Sequence, residues 1–432
     1  MGRFILSRPA RQAIRRVILS QSVAGWRPTR YLRRAPDRHR LEEEGFVTKG
    51  GRNMPTTTCH ELHPTLTPGG QFAPHEPNEL VPRYQSFVTE QRMSWTSHQR
   101  LIRLLGSGGQ GVVYLTELRG TEEFTLPAAL KIFSPERFET SANYDTAMQR
   151  LARVSARIAQ IQHDNLLYVY NFVDRERIRM MIMEWIDGYD LARLLVPGML
   201  VRFRERATPR RWEFLNRVVA THGPVQPRLK AGMAVAIVRD CLSGLAALHR
   251  HGIVHGDIKP SNIMLKRTGI TKIIDVGSAF EIAHPPAALS CTLAYAAPEV
   301  LERKECSSRS DLCSLGYVLI ELLSGRPPFN GVKDAKELLD AKRLLPHRLH
   351  EVLPQEVLGC DLLMSFCRGM IAFDSVRRFP SAEAADLLKE GAAAFHRQLV
   401  FGDLSAEYDT EIRQWLEDLK EMDAQDDENK AA

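Results

Sequence analysis

The sequence of 432 residues has few cysteines, and their spacing is not typical of a disulfide framework or a zinc site. The 7 cysteines are odd in number and include no Cys-x-x-Cys pair. Small secreted domains use paired cysteines, and zinc sites use closely spaced ones, so the pattern argues against both classes. A reducing cytoplasm is the expected compartment.

Long hydrophobic runs are also missing. No stretch approaches the roughly 18 uncharged apolar residues that would indicate a membrane span. The most apolar helix-like run, 312–323, is interrupted by Ser314, Gly316 and Glu321, which favours a buried core helix. We therefore expect no membrane span.

Acidic residues are scarce at one end of the chain and abundant at the other. Residues 1–40 contain eleven arginines and one acid, Asp37, whereas the last thirty residues are strongly acidic. Such ends are usually solvated tails, so the net charge of +6 says little about nucleic-acid binding, and we expect no nucleic-acid partner. The Arg-rich start resembles a mitochondrial transit peptide, which makes organelle targeting the alternative to a cytoplasmic location.

Four regions differ in pattern along the chain. Residues 1–92 lack a sustained period and predict a basic, disordered extension. Residues 93–187 contain short β-rich runs and one stretch, 142–162, with apolar residues at helical spacing. Residues 188–395 are mainly helical, and 396–432 form an acidic, amphipathic tail. The fold class is α+β, with a small β-rich lobe before a larger helical lobe.

The sequence allows two interpretations for each of two further segments. The basic stretch 196–230 looks like an insertion in the large lobe, either a solvated surface excursion or a docking surface. The tail helix would dock on the large lobe or bind a partner, and the pattern does not choose between them.

A glycine-rich segment, 105–113, lies between two strand-like runs. Glycines at such a junction let backbone N–H groups approach phosphate oxygens. A dinucleotide-binding fold would place a helix after the glycines, but Val112 and Val113 continue as a strand, which favours a hairpin over phosphates. Lys131 follows on an apolar strand, and its distance from the glycines favours a contact with the α- and β-phosphates of ATP over an edge-strand position in water.

The segment 255–262 concentrates the polar residues needed for phosphoryl transfer. Asp257 is suited to accept the proton of an attacking hydroxyl, and Lys259 to neutralise charge on the phosphoryl group. Asn262 offers an oxygen to a metal, and Asp275, at a strand end before Gly277, supplies a carboxylate suited to Mg²⁺. Each residue alone fits a turn or a helix cap, but the full set in this order favours catalysis.

These residues resemble a eukaryotic-type (Hanks-type) Ser/Thr protein kinase of the bacterial kind, over roughly 101–395. The catalytic loop would be 255–262, the metal-binding triplet 275–277 and the end of the activation segment 297–299, with Arg378 paired to Glu299. The resemblance implies a two-lobed protein-kinase-like fold, protein substrates, ATP and Mg²⁺. The nucleotide-binding residues that it implies are Leu105, Gly106, Ser107, Gly108, Gly109, Gln110, Gly111, Val113, Ala129, Lys131, Met183, Glu184, Ile186, Asp190 and Met264.

The chain departs from the family pattern at two positions. The small-lobe helix should carry a glutamate that pairs with Lys131, but the expected position is Val154. Lys131 would then rely on Asp275, on a reorganised helix or on the nucleotide. Gly256 replaces the arginine that holds a phosphorylated activation segment, which predicts activity independent of phosphorylation.

The preferred function is a Ser/Thr protein kinase that transfers the γ-phosphate of Mg-ATP to protein hydroxyls. The alternative is a pseudokinase that binds ATP or partners without efficient transfer. Cys291, beside Thr292, is expected to be a plain small residue rather than a redox switch.

Overall fold

The computed structural model describes residues 78–90, 100–286, 289–332, 334–401 and 408–431. The predictions for residues 1–77 therefore lie outside the described residues, as does the segment 402–407 within the acidic tail.

Five antiparallel strands form the sheet of the small lobe, in the order β1-β2-β3-β5-β4. The strands are β1 (Leu101–Gly108), β2 (Gly111–Arg119), β3 (Thr125–Phe133), β4 (Val169–Arg175) and β5 (Ile178–Glu184). The central strands β3 and β5 are the most buried, with Ala128–Phe133 of β3 buried throughout, whereas β1 is exposed after Leu101. The small β-rich lobe expected from the sequence is confirmed.

Helix α1 (Val81–Glu90) lies in the stretch for which the sequence predicts disorder. Leu80, Tyr84 and Phe87 are buried, and the Asn78 side chain donates to the carbonyls of Pro135 and Phe138 at 3.3 Å. Disorder is therefore wrong for residues 78–90, because apolar residues at helical spacing cover the small lobe there.

Helix α2 (Ser141–Ile158) connects β3 to β4, as the periodicity predicts. Thr140 caps its N-terminus by accepting a hydrogen bond from the Asn143 amide. Its apolar face packs on the sheet and contains Tyr144, Met148, Leu151, Val154 and Ile158.

The larger lobe is mainly helical. Its helices are α3 (Leu191–Leu194), α4 (Gly198–Arg206), α5 (Pro209–Phe214), α6 (Ala231–Arg250), α7 (Pro298–Leu301), α8 (Ser308–Ser324), α9 (Ala335–Leu344), α10 (Leu349–Val352), α11 (Gln355–Leu358), α12 (Asp361–Ile371), α13 (Ala382–Leu387) and α14 (Ala392–Phe401). The large lobe also contains seven short strands, namely β6 (Gly188–Asp190), β7 (Ala220–Thr221), β8 (Arg228–Leu229), β9 (Ile253–Val254), β10 (Ile263–Lys266), β11 (Thr271–Ile273) and β12 (Phe280–Glu281).

Helix α6 is at the centre of the large lobe and packs against α8 and α13. By length and apolar composition alone, it is the one helix in the described part of the chain that would suffice to cross a membrane. In the fold, 72% of that apolar window is buried, as in the core helix of a globular lobe.

The basic insertion and the acidic tail pack against each other. Helix α15 (Tyr408–Ala431) lies against α4, α6 and the π-helical segment Leu215–Val219. Its buried face consists of Ile412, Trp415, Leu416, Leu419 and Met422. Of the two interpretations of the insertion, the structure thus supports a docking surface, which here receives the tail. The amphipathic stripe of α15 is covered by the large lobe.

Ion pairs line the edge of this contact. Arg202 bonds Asp423 at 3.0 Å and Asp426 at 2.6 Å, Arg206 pairs with Asp426, and Arg211 bonds Asp418 at 2.7 Å. The opposite charges of the two segments therefore neutralise each other within the chain.

Candidate active site

The glycine-rich segment forms the hairpin between β1 and β2. Gly108 pairs with Gly111, and Gly106 with Val113, in an antiparallel ladder. Gly111 has a φ of +134°, and a Cβ there would lie 2.0 Å from the Ile132 carbonyl oxygen, so only glycine fits. The strand–turn–strand geometry expected from the sequence is present. Residues 102–109 are exposed, whereas the side chain of Gln110 turns inward.

Lys131 lies on β3, opposite Val113 of β2, and is buried. Its Nζ contacts Asp275 Oδ1 at 2.5 Å and donates to Gln110 Oε1 at 2.8 Å. Burial favours the neutral form of the Asp275 carboxyl, but Lys131 outweighs it and lowers the pKa of Asp275 to about 2. The structure thus joins Lys131, Asp275 and the glycine hairpin at one point.

The catalytic-loop segment holds Asp257 in a buried cluster. Oδ2 of Asp257 lies 2.8 Å from Lys259 Nζ and 3.3 Å from Asn262 Nδ2, while Oδ1 accepts from the Thr292 amide at 3.0 Å. Lys259 also donates to Thr292 Oγ1 at 2.9 Å. Asp257, Lys259 and Asn262, chosen from the sequence, are brought together, and Thr292 connects them to the activation segment.

Asp311 of α8 binds the backbone of this loop. Its carboxylate accepts from the backbone amides of His255 and Gly256 at 2.8 and 2.9 Å, and it contacts the His249 ring at 2.9 Å. Burial opposes ionisation, but the His249 hydrogen bond prevails and the pKa of Asp311 is lowered. The loop is therefore fixed to the core helix by a buried carboxylate.

Gly256 adopts a left-handed conformation, with a φ of +78°. A Cβ at this position would lie 3.0 Å from the Ser278 carbonyl oxygen. The left-handed conformation and the tight contact both favour the glycine that replaces the arginine of the family pattern.

The segment after β5 connects the two lobes and contains the residues expected to bind adenine. Glu184 is the last residue of β5, and its side chain accepts from the Tyr168 amide at 2.8 Å and from Lys272 Nζ at 2.7 Å. Ile186 is buried and lies outside any strand, and its N–H donates no hydrogen bond to any other described residue. An N–H without a partner among the described residues fits a hydrogen-bond acceptor on a base.

Other expected nucleotide contacts surround this segment. Ala129 pairs with Met183 across β3 and β5, and Met264 pairs with Asp190 across β10 and β6. Asp190 caps α3 by accepting from the Arg193 amide at 2.9 Å, and burial raises the pKa of Asp190. The residues expected to sandwich the base thus come from both lobes, while Leu105 is exposed on the hairpin.

Asn262 and Asp275 present oxygens that suit a hard divalent cation. The amide nitrogen of Asn262 is used by the Asp257 carbonyl at 2.8 Å, which leaves Oδ1 available. Oδ1 of Asp275 accepts from Lys131 and the Gly277 amide, and its Oδ2 accepts no hydrogen bond from the described residues. An amide oxygen and a free carboxylate oxygen are ligands that Mg²⁺ prefers, so the residues fit the metal.

The end of the activation segment is fixed by a buried ion pair. Arg378 donates to both carboxylate oxygens of Glu299 at 2.7 Å, as the sequence predicts. Burial opposes the charge on Glu299, but Arg378 lowers the pKa of that carboxyl. Ser310 also donates to Glu299 at 2.7 Å.

Helix α2 makes no ion pair with Lys131. Val154 is buried in the small-lobe core, and Asp145, the one acid of α2, pairs with Arg177 at 2.8 Å and Arg179 at 3.2 Å. Instead, Arg157 of α2 contacts Glu281 of β12 at 2.8 Å. Neither the Gln110–Lys131 contact nor the Arg157–Glu281 pair was predicted; the excess of arginine on α2 was the available signal for the second.

Cys291 is buried beside Thr292, and burial raises the pKa of its thiol to about 11. A thiol of this kind is a poor nucleophile at neutral pH, which favours the plain structural role.

A small lobe built on a five-stranded antiparallel sheet, followed by a larger helical lobe, defines the kinase fold. The family model described as protein kinase domain matches residues 100–390, and the chain belongs to this family.

Bacterial Ser/Thr kinases are distant relatives. The chain is 28% identical over 294 residues to the serine/threonine-protein kinase PrkC of Bacillus subtilis, covering 66% of this chain and 39% of PrkC. It is 29% identical over 255 residues to PknB of Mycolicibacterium smegmatis, covering 56% and 35%, and 30% identical over 238 residues to PknB of Mycobacterium leprae, covering 53% and 32%. The chain thus spans less than half of each relative's length.

Proposed function

We propose that the protein is a Ser/Thr protein kinase that transfers the γ-phosphate of Mg-ATP to hydroxyl groups of protein substrates. The observation that carries the proposal is the buried Asp257 cluster, in which Lys259 and Asn262 flank a carboxylate. The family membership and the metal-compatible oxygens of Asn262 and Asp275 support it.

In the proposed reaction, the hydroxyl oxygen of a substrate Ser or Thr forms a bond to the γ-phosphorus. The bond from that phosphorus to the β,γ-bridging oxygen breaks, and ADP leaves. Asp257 orients the hydroxyl and accepts its proton, while Lys259 stabilises negative charge on the phosphoryl group. Lys131 holds the α- and β-phosphates. Asn262 and Asp275 would hold Mg²⁺, which would supply positive charge beside the phosphates.

The test is transfer of labelled γ-phosphate from Mg-ATP to a generic protein substrate. Wild type is compared with Asp257→Asn and Lys131→Met. We expect Asp257→Asn to lose at least about 100-fold in kcat with little change in Mg-ATP affinity, because it removes the proton acceptor. Equal incorporation by wild type and Asp257→Asn would exclude this function.

A pseudokinase that binds nucleotide or partners is the second candidate. The observation that favours it is the absence of an acid from α2 near Lys131. Stabilisation by Mg-ATP in a thermal-shift measurement, with no transfer to any substrate or to the protein itself, would favour this function over catalysis.

A further inference from the structure

Gln110 is at the tip of the glycine hairpin, and its side chain is directed into the site between the lobes. Its Oε1 accepts from Lys131 Nζ at 2.8 Å, and its Nε2 donates to Ser278 Oγ at 3.3 Å. The hairpin residues before it are exposed, whereas Gln110 is half-buried. Both ends of the carboxamide are thus bound to groups in the interior of the site.

The ion pairs around Lys131 leave an N–H donor of its ammonium group for this carboxamide. In the described part of the chain, Asp275 is the one carboxylate paired with Lys131. The acid of α2, Asp145, pairs with Arg177 and Arg179 instead. An ammonium group has three N–H donors, of which Asp275 takes one and Gln110 takes another.

Gly277 makes room for the same side chain. A Cβ on residue 277 would lie 2.1 Å from Gln110 Oε1. A residue with a side chain at position 277 would therefore displace the carboxamide from Lys131. The φ angle of Gly277 is not in the left-handed region, so the glycine matters here for the space that it leaves to the Gln110 carboxamide.

We propose that Gln110 is a positioning residue that holds the Lys131 ammonium toward the nucleotide phosphates, in the role that an acid on α2 would otherwise fill. This inference rests on the proposed contact between Lys131 and the phosphates. The Gln110 carboxamide is neutral, so it orients Lys131 without reducing the positive charge that the phosphates meet. The glycine hairpin thus contributes directly to the position of Lys131.

The experiment is a double-mutant cycle on Mg-ATP affinity, measured by isothermal titration calorimetry. The proteins are wild type, Gln110→Ala, Lys131→Met and the double variant. The matched control is Gln149→Ala, because Gln149 is an exposed glutamine of α2. Adenosine, which lacks phosphates, is titrated in parallel, and kcat is measured for each protein.

We expect Gln110→Ala to weaken Mg-ATP binding about tenfold, the effect of one hydrogen bond to a charged group. Adenosine affinity is expected to stay unchanged, as is the affinity of the Gln149→Ala control for Mg-ATP. In the Lys131→Met background, Gln110→Ala should cause no further loss, because the partner is already gone.

Three results would overturn the inference. Unchanged affinity and kcat in Gln110→Ala would show that the contact does not matter. Tighter Mg-ATP binding would show that the carboxamide competes with phosphates, and an equal loss with and without Lys131 would show that it acts on another group. Binding without phosphoryl transfer in wild type would overturn only the proposed function, whereas no Mg-ATP binding at all would overturn both.

Discussion

Arg157 of α2 and Glu281 of β12 form an ion pair with 2.8 Å between Nη1 and Oε2. The same guanidinium donates to the carbonyl of His251 at 2.7 Å. One side chain thus connects the small-lobe helix to the start of the activation segment and to the residues before the catalytic loop. This contact holds α2 in place although the helix has no ion pair with Lys131.

We expect Arg157→Ala to lower the free energy of unfolding by about 1 kcal/mol, because the buried Glu281 carboxylate loses the guanidinium and keeps only the contact with the His284 ring at 3.3 Å. Faster hydrogen exchange in α2 should accompany the loss. Arg153→Ala, at an exposed arginine of the same helix, is the control and should change neither quantity. Equal exchange rates in both variants would contradict this role of Arg157.

Thr292 should act through its hydroxyl and amide rather than as a phosphorylation site. Its Oγ1 accepts from Lys259, its amide donates to Asp257, and it is only 6% exposed. With Gly256 in place of an arginine, no cation at that position is available for a phosphate. Protein treated with phosphatase and verified by mass spectrometry is expected to keep its full kcat.

Thr292→Ala, in contrast, should lower kcat about tenfold by removing the hydrogen bond from Lys259, and Thr292→Ser should retain activity. A strict need for phosphate in the wild-type protein would refute this interpretation of Gly256.

The Glu299–Arg378 pair should be important for stability. Both side chains are buried, and Arg378→Ala would leave the Glu299 carboxylate uncompensated. We expect a loss of about 3–5 kcal/mol in the free energy of unfolding, measured by urea denaturation. Arg377→Ala provides the matched control, since its side chain is 82% exposed and its loss should cost less than about 0.5 kcal/mol. Similar midpoints for the two variants would disprove the prediction.

The buried Lys342 of α9 should make the stability of the protein depend on pH. It is fully buried, and its ammonium donates to the Ala294 carbonyl at 2.7 Å and lies over the rings of Tyr317 and Phe329 at 4.1 and 4.2 Å. Burial lowers the pKa of Lys342 to about 7, below the value of about 10.4 expected in the unfolded chain. Between these two values the unfolded chain binds the proton more strongly, so raising the pH favours the folded state.

The free energy of unfolding of wild type, relative to Lys342→Met, should therefore increase by up to about 3 kcal/mol from pH 7 to about pH 9.5. Denaturation by urea at several pH values measures this difference. Lys336→Met, at an exposed lysine of the same helix, should show a constant difference from wild type. A flat profile for Lys342→Met would mean that Lys342 keeps its proton in the folded protein.

Trp415 should contribute much of the energy that docks α15. The ring is fully buried where α15 contacts α4, α6 and the segment Leu215–Val219. Truncation to alanine is expected to cost about 3–5 kcal/mol, through lost burial and the cavity that remains. Gln414→Ala, on the exposed side of the helix, is the control. A loss below about 1 kcal/mol would show that the helix docks through its charges alone.

The local parts of the site could be predicted from sequence. Asp257, Lys259 and Asn262 lie within six positions of one another, so their side chains share one loop whatever the rest of the chain does. Lys131 and Asp275 are far apart in sequence, and only the resemblance to the kinase family indicated that they lie close together. The Glu299–Arg378 pair was likewise predicted and is present.

Contacts between distant residues that belong to no family motif could not be predicted from the sequence. Gln110 meets Ser278 across 168 positions, and its side-chain direction depends on the space that Gly277 leaves. The amphipathic pattern of α15 fits docking on the large lobe and binding to a partner equally well, so its docking site could not be predicted. Helix α1 was missed because a ten-residue helix has a weak periodic signal.

The docking of α15 also has a consequence for synthesis. Its Asp423 bonds Tyr189 at 2.7 Å and its Lys420 bonds Asp187 at 3.1 Å, so residues more than 220 positions apart complete one surface. During synthesis, the apolar side of the insertion stays exposed until residues 412–422 have left the ribosome. Contacts so distant in sequence form slowly, and exposed apolar surface promotes aggregation in the interval. The large lobe therefore completes its fold only after the chain has been made as far as Met422.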